Sequence, residues 1–326
     1  MNQTALILCA CFLIATGDCL SQADNLVHSA GYKTSAYGEI PSYEKKGRGE
    51  RKLILIPGWG FDASVFEDFT KVNDKKYTMY VITIPGFGNT SAPAMPPVEK
   101  SSYGEQYWNK GVIEGVLRLI EKEKIEKPVL VGHFVQGAHL ALRIAADHPG
   151  KIGGVIVIGA PAKFIAIIAG QPREFPLQAN IQYIDNNTAP KWFKPISKKD
   201  FDSGNHEPEV YSINESTGMD LWKKSAQVPL PVMVRYLCEY FASDVTLDID
   251  KIRCPLLILR PSFTPEILSK GVNNYIKPQY LDAWDRVIAN HPAIQMKDVE
   301  NSAVFIWKDN PSVFYRYFNE FMTTIK

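Results

Sequence analysis

The chain has 326 residues, of which 45% are hydrophobic and 22% are charged. This composition is typical of a globular protein with a sizeable core and argues against intrinsic disorder. The 36 basic and 35 acidic residues leave a formal net charge of +1, so the chain lacks the basic excess with which proteins bind nucleic acids or anionic membranes. We therefore expect no nucleic-acid partner.

The N-terminal segment has the pattern of a signal peptide. Residues 5–16 form an apolar run that is too short to span a bilayer, and small residues stand at Ser21 and Ala23, where a signal peptidase reads the chain. We expect cleavage after Ala23, so that residues 1–23 are removed; a cut after Gly17 is the alternative. The sequence thus predicts a secreted or exported protein without a transmembrane segment.

Apolar runs alternate with helical patterns through most of the remaining chain. Short apolar runs, mostly bounded by Gly or Pro, are typical of buried strands, and they occur at 53–56, 79–84, 128–131, 155–158 and 256–259. Residues 294–299 are the last predicted strand. Apolar residues recur at helical spacing over 103–122, 137–146 and 313–324. This alternation predicts an α/β fold with a doubly wound, mostly parallel sheet.

One long segment interrupts the alternation. Residues 162–243 are rich in Pro, Asn and aromatic residues, and a helix is predicted over 231–242. An insertion of this size after a strand is typical of a lid or cap, which leaves residues 24–161 and 244–326 as the two parts of the core. We interpret 163–169 as the first helix of the cap, which either contacts an apolar ligand or a lipid surface or packs inside the cap.

Cysteines are few beyond the predicted signal peptide. Only Cys238 and Cys254 remain there, and they form either one disulfide or two buried free thiols. No Cys/His spacing resembles a zinc site. We therefore expect no metal and no cofactor.

Three loops are expected to form the ligand crevice, which in an open α/β sheet lies beyond the carboxyl ends of the strands. The sequence Gly58-Trp59-Gly60 follows the first apolar strand, residues 132–137 make an abrupt strand-to-helix turn, and residues 301–305 follow the last predicted strand. We expect all three loops to converge under the cap.

These loops, in this order, resemble the α/β-hydrolase family with a cap domain, and the resemblance covers essentially the whole chain after the signal peptide. Residues 129–133 with the following turn and helix are similar to the nucleophile elbow of the family. Residues 84–91 are similar to the loop after the preceding strand, and residues 305–311 resemble the segment that follows the catalytic histidine.

The resemblance implies that every position of the catalytic triad has been replaced. In the family motif a serine lies on a strained turn between flanking glycines; here Phe134 stands at the serine position and Gln136 at the second glycine. The histidine would fall at Val304. The acid would fall near Phe263 or, if it followed the strand at 155–158 as in some members, at Gly159 or Ala160. Acyl transfer needs a nucleophile, a base and a group that orients the base, so ordinary serine-hydrolase activity is predicted to be absent.

The same resemblance implies an apolar pocket under the cap. The backbone N–H groups of Trp59 and Val135 stand at the oxyanion donor positions of the family whatever their side chains are. The predicted pocket residues are Gly58, Trp59, Gly60, Phe134, Val135, Gln136, Phe263 and Val304. A phenylalanine with positive φ would carry strain of about 1 to 3 kcal/mol, so we expect a relaxed turn at Phe134, with retained strain inherited from the family as the alternative.

Three hypotheses about function follow. The first is a pseudoenzyme that binds an apolar small molecule in this pocket. The second is a non-hydrolytic enzyme, such as a cyclase, isomerase or lyase, that acts by orienting its substrate. The third is a hydrolase with relocated catalytic residues, for which His133 and His139 are the nearest candidates in sequence. The alternative for each histidine is a purely structural role in packing.

Overall fold

The computed structural model describes residues 9–10, 34–270 and 273–325. The predicted signal peptide therefore lies outside the described residues except for Cys9–Ala10, a two-residue strand that pairs in parallel with Ile167 and Ile168. Within the described ranges, no helix has both the length and the apolar character that crossing a membrane requires.

A seven-stranded sheet forms the centre of the molecule. Its strands are β1 (Ser42–Gly47), β2 (Arg51–Ile56), β3 (Tyr77–Thr83), β4 (Val129–His133), β5 (Gly154–Ile158), β6 (Leu256–Pro261) and β7 (Gln295–Val299). The strand order is β7-β6-β5-β4-β2-β3-β1. All neighbours are parallel except β1, which pairs antiparallel with β3. The predicted doubly wound, mostly parallel sheet is confirmed.

Burial explains why the sequence indicated most of these strands. Every residue of β3, β4, β5 and β6 is buried, and strands covered on both faces have near-continuous apolar sequences. The strand that was missed, β1, has the polar sequence SYEKKG and mostly exposed side chains. Such charged residues are typical of edge strands, which must not pair with other chains.

The helices, several of them single turns, surround this sheet. They are α1 (Glu67–Asn73), α2 (Tyr107–Lys122), α3 (Phe134–Asp147), α4 (Leu177–Tyr183), α5 (Lys198–Gly204), α6 (Pro208–Tyr211), α7 (Glu215–Ser225), α8 (Leu230–Phe241), α9 (Pro265–Leu268), α10 (Asn273–Ile276), α11 (Ala283–Asn290), α12 (Ile306–Asp309) and α13 (Pro311–Thr324). Wider π-helical turns span Ile184–Phe193 and Lys277–Asp282. Turns of 3-10 helix span Ala63–Phe66, Val98–Lys100, Tyr103–Glu105 and Val245–Lys251, and a two-stranded pair joins Thr34–Ser35 to Ala92–Pro93.

The segment that the sequence predicts to be an insertion, residues 162–243, contains α4 to α8; we keep the name inserted segment for these residues. Its predicted last helix is confirmed as α8. The helix predicted over 163–169 is wrong, because Ala166–Ile168 is a strand that pairs antiparallel with Gln171–Arg173. The two residues between these strands both have positive φ, which is the geometry of a two-residue hairpin turn and ends any helix there.

A buried ion pair attaches α8 to the core. Glu239 is fully buried and lies 2.9 Å from Arg235 Nη2, both residues being on α8. Its carboxylate also accepts the backbone N–H groups of Trp108 at 3.1 Å and Asn109 at 2.9 Å, in the first turn of α2. Burial raises the pKa of Glu239, and Arg235 and the two amides oppose that effect. Because a helix N-terminus attracts negative charge, this carboxylate joins the two helices.

Two hydrogen bonds fix α8 over the loops that follow β2 and β3. Trp59 Nε1 donates to the Met233 carbonyl at 3.0 Å, and the Tyr236 hydroxyl donates to the Pro85 carbonyl at 2.9 Å. Cys238 is buried on the same helix and is a free thiol, as is the partly buried Cys254. The disulfide alternative is therefore not formed.

Candidate functional site

The turn between β4 and α3 is strained at its central residue. Phe134 has φ 47°, in the left-handed region that bulky residues rarely adopt. The prediction of a relaxed turn was wrong. The strand ends at His133 and the helix begins at Phe134, so one residue makes the whole change of direction. A Cβ added at Gly132 would lie 2.4 Å from the Gly137 carbonyl oxygen, and this close approach holds the turn in place.

The Phe134 side chain fills the space in front of this turn. Only 6% of the residue is exposed, and its ring makes an edge contact with Tyr211 at a centroid distance of 5.9 Å. A Cβ added at Gly58 would lie 2.6 Å from Phe134 Cβ. The side chain is thus packed between the loop after β2 and the inserted segment, and burial of such a ring stabilises the fold by about 1.5 to 3 kcal/mol.

Two backbone N–H groups flank this ring. Val135 is the second residue of α3, where a backbone N–H has no acceptor inside the helix. The Trp59 N–H has no acceptor within hydrogen-bond distance in the described part of the chain. The turn that presents Trp59 is closed by the Phe61 N–H, which donates to the Gly58 carbonyl at 3.1 Å. Both amides therefore remain available as donors.

The loop that contains Val304 is bound to the inserted segment. The Val304 N–H donates to the Val210 carbonyl at 3.1 Å, and the Phe305 N–H donates to the Tyr211 carbonyl at 3.0 Å. The Ala303 N–H donates to Asp309 at 2.8 Å. Val304 is fully buried, so this position lies in the packed interior.

Phe263 also has a left-handed backbone, with φ 48°. Its N–H donates to the Ser302 carbonyl at 2.9 Å, and its ring makes an edge contact with Tyr280 at 5.8 Å. Phe263 therefore packs behind a residue that faces the cavity described below.

His133 lies in an aromatic box behind the turn. Its Nε2 donates to the Val304 carbonyl at 3.2 Å, and its ring lies 4.3 Å from that of Phe305 and 4.8 Å from that of Trp307. Burial lowers the pKa of His133 to about 3, so the ring is neutral at physiological pH. It has no access to the cavity, and its environment is that of a packing histidine.

His139 is also a buried residue, on α3. Its ring lies 6.2 Å from that of Tyr240, and its Nε2 has no hydrogen-bond partner among the described residues. Burial lowers the pKa of His139 to about 4, and the charge of Arg143 adds to the effect. This histidine does not line the cavity either.

A cavity of about 90 Å³ lies between the core and the inserted segment. Of the residues predicted for the pocket, Trp59, Phe134 and Val135 line it. The inserted segment contributes Asn205, Glu207, Val210, Tyr211, Leu237, Tyr240 and Phe241. The core adds Pro161, and the turns after β6 add Tyr275, Gln279 and Tyr280.

The other predicted pocket residues lie beside or behind the lining. Gly58 is covered by Phe134, and a Cβ added at Gly60 would lie 3.0 Å from Ser225 Cβ, so Gly60 packs against α7. Gln136 is buried and donates from Nε2 to the side-chain oxygen of Asn109 on α2. Its side chain is therefore directed to that helix instead of the cavity.

The cavity has one polar end, which the sequence did not reveal. The Tyr275 hydroxyl donates to Glu207 Oε2 at 2.5 Å, across 68 residues of sequence. Burial raises the pKa of Glu207 to about 7, although this hydrogen bond opposes the shift. Tyr240 is buried, and its hydroxyl has no partner among the described residues. The abundance of aromatic residues in the insertion was the only sequence signal for this end.

A second cavity of about 60 Å³ adjoins the first. Both are lined by Asn205, Leu237 and Phe241. The second is otherwise mainly apolar, with Phe164, Ile167, Trp192 and Phe193 among its walls. Across the described ranges, no group of three or more His, Cys, Asp or Glu residues is placed to hold a metal ion.

Comparison with known proteins identifies relatives of this architecture. A family model described as "Alpha/beta hydrolase family" matches residues 53–313. The chain is 32% identical over 114 residues to the biotin biosynthesis bifunctional protein BioHC of Cellvibrio japonicus, covering 35% of this chain and 20% of that protein. It is 22% identical over 124 residues to a pimeloyl-[acyl-carrier protein] methyl ester esterase of Citrobacter koseri, covering 38% of this chain and 42% of that protein. The chain thus spans less than half the length of these curated relatives.

Among solved structures, an esterase from Exiguobacterium antarcticum superposes with a TM-score of 0.63 at 15% identity. The match covers 86% of this chain and 94% of the esterase. At this identity the likeness establishes a shared fold.

Proposed function

Since the chain belongs to the α/β-hydrolase family, we propose that it binds an apolar small molecule in the cavity beside Phe134 and does not hydrolyse esters by serine chemistry. The observation that carries the proposal is the Phe134 side chain, which occupies the strained turn and forms part of the cavity wall. In the described part of the chain, no serine, cysteine or histidine lines that cavity.

The composition of the wall supports an apolar ligand. Aromatic and aliphatic side chains form most of the lining, and apolar cavities exclude water and bind apolar molecules. The first cavity is smaller than the roughly 150 Å³ of a protein cavity known to bind benzene. A ligand of that size would therefore also use the adjoining space behind Leu237 and Phe241.

The absence of serine chemistry follows from the residue types at the turn. A phenylalanine has no group that can attack a carbonyl carbon, and a base within hydrogen-bond reach is equally necessary. Val304 has no titratable group, and burial keeps His133 neutral behind the turn. The named esterases that the chain partly matches are relatives of its fold, and we propose that their chemistry has been lost here.

A serine-directed fluorophosphonate probe and a panel of p-nitrophenyl esters test this part of the proposal. We expect neither labelling nor turnover by the natural chain. The double variant Phe134→Ser, Val304→His restores two residue types of the family triad and serves as the comparison. Stoichiometric labelling of the natural chain would overturn the proposal.

Ligand binding is tested by native mass spectrometry of the purified protein and by ligand-observed NMR with benzene. The substitution Leu237→Trp places a bulky side chain in the wall shared by both cavities and should abolish binding. Leu247 is 64% exposed, so Leu247→Trp is the matched control and should leave binding intact. Equal binding by both variants would place the ligand elsewhere.

We also propose that the protein is exported, on the basis of the apolar run at residues 5–16 and the small residues before Asp24. N-terminal sequencing of the exported protein should then begin at Asp24, or at Asp18 for the earlier cut. Recovery of the chain from the exported fraction with residues 1–23 intact would refute cleavage.

The second candidate is a non-hydrolytic enzyme, which one observation favours. Glu207 faces the cavity, and its pKa of about 7 suits a general base. Proton abstraction from a small chromogenic carbon acid tests for such a base. This candidate predicts a rate above background that increases through neutral pH and is lost in Glu207→Gln; an unchanged rate in that variant would remove it.

A further inference from the structure

The polar end of the cavity contains a carboxylate without a positive partner. Glu207 is partly buried. It accepts one hydrogen bond, from Tyr275, on Oε2, and Oε1 has no protein partner among the described residues and is not sealed from solvent. No lysine or arginine belongs to the described lining. The nearby Glu209 is paired with Lys270 at 3.0 Å, so that lysine is already engaged outside the cavity.

Aromatic rings and hydroxyl groups surround this carboxylate. Tyr211 and Tyr280 both feel its charge, and Tyr275 donates to it. Tyrosine hydroxyls form hydrogen bonds but supply no positive charge at neutral pH. The faces of aromatic rings carry negative electrostatic potential and attract cations.

We propose that this cavity recognises a small organic cation, with Glu207 as its counter-charge and the surrounding tyrosine and tryptophan rings as its walls. The inference rests on the proposed function, because it requires the cavity to be a ligand site. A protonated or quaternary ammonium group next to Glu207 Oε1 would supply the missing partner.

Anionic and neutral ligands would interact less favourably than a cation with the ionised carboxylate of Glu207. An anionic ligand would be repelled by Glu207. A neutral apolar ligand, as in the proposed function, is compatible with the protonated carboxyl. It supplies no partner to the ionised carboxylate, and an unpaired charge that is shut off from water is costly. A cation would form an ion pair with the carboxylate of Glu207, and the attraction between the two charges becomes stronger as water is excluded.

The affinity for a cation of fixed charge should therefore depend on pH. The groups that face Glu207 are the hydroxyls of Tyr211, Tyr275 and Tyr280, which stay protonated because burial raises their pKa values, and the carboxylate of Glu209. Burial raises the pKa of Glu207 itself to about 7. If only the ionised form binds, affinity should increase by about 30-fold from about pH 5.5 to about pH 8.5, as the ionised fraction increases.

Choline and 3,3-dimethylbutan-1-ol provide the test. The alcohol is the neutral isostere of choline, with carbon in place of nitrogen, and the charge of choline does not change with pH. Ligand-observed NMR titrations at both pH values should show choline affinity increasing with pH and exceeding that of the alcohol above pH 7, while the affinity for the alcohol does not increase.

Glu207→Gln should remove the pH dependence and lower choline affinity to that of the alcohol. Glu215→Gln removes an exposed charge outside the cavity lining and should leave both properties intact. Equal affinity of the natural chain for both probes at every pH would overturn the cation inference and leave the proposed function standing. If neither probe nor benzene binds, both fail. An equal loss in the two variants would also refute the specific role of Glu207.

Discussion

Replacing Phe134 by alanine and by glycine separates the strain of its backbone from the packing of its ring. Both substitutions remove the ring, and they differ only in the Cβ atom. At φ 47° the Cβ is the source of the strain, so glycine should be the better replacement. Val135, the next residue, has no positive φ and provides the matched site, where alanine should be the better replacement.

The expected difference in the free energy of unfolding follows from two known backbone preferences. A left-handed conformation costs a residue with a Cβ about 1 to 2 kcal/mol, whereas glycine in an ordinary helical conformation costs about 1 kcal/mol relative to alanine. Val135 and Phe134 are both buried. The free-energy cost of losing one buried Cβ is therefore similar at the two sites and largely cancels when they are compared. The change from alanine to glycine should therefore be about 2 kcal/mol more favourable at 134 than at 135.

Urea denaturation of the four variants, with the same spectroscopic probe and a common m-value, measures these differences in the free energy of unfolding. Both Phe134 variants should be less stable than the natural chain, since the ring is lost in each. If the change from alanine to glycine has the same effect at both sites, the turn carries no strain and our explanation of it is refuted.

Three further substitutions test the packing around the site. Glu239→Gln should cost about 3 to 5 kcal/mol in urea denaturation, because it leaves the charge of Arg235 buried without its partner. Glu207→Gln should gain stability relative to the natural chain as the pH rises from about 4.5 to about 7, with a plateau above about pH 8 and a total change of at most about 3 kcal/mol. Burial raises the pKa of the natural carboxyl from 4.5 to about 7, so its ionisation disfavours the folded state; a stability difference that does not vary between about pH 5 and about pH 8 would contradict this. Gly159→Ala should be far more destabilising than Gly150→Ala, although both glycines have positive φ. A Cβ at 159 would lie 2.1 Å from a carbonyl oxygen, whereas a Cβ at 150 would meet no atom within 4 Å. Equal melting temperatures of the two variants would refute this.

The fold was predictable because its central strands are buried on both faces. The runs at 53–56 and 256–259 have no polar residues, and each lies within a strand of the sheet. The hairpin at Ala166–Ile168 was mistaken for a helix because a short apolar run has no clear periodicity. Its two-residue turn begins with Ala169 instead of the usual Asn or Asp, so the turn signal was absent.

The site residues were predictable only where they directly follow a strand of the central sheet. The sequence placed Trp59, Phe134 and Val135 together because each follows a parallel strand, and all three line the cavity. The conformation of Phe134 was not predictable from its own preferences, because the close packing of a strand on a helix determines it. Glu207 and Tyr275 come from separate parts of the chain, and nothing local indicated that they meet.

The attachment of α8 has a kinetic consequence. Its links to Asn109, Pro85 and the Trp59 side chain would all have to break for that wall of the cavity to move. The opposite wall, at residues 205–211, is joined to the 301–305 loop by two backbone hydrogen bonds. We expect residues 205–211 to move away from the cavity before α8 does. Their movement would then limit the rate at which a ligand enters. Substitutions of residues in the 301–305 loop that hold this wall but do not line the cavity should change association and dissociation rates together, with little change in affinity.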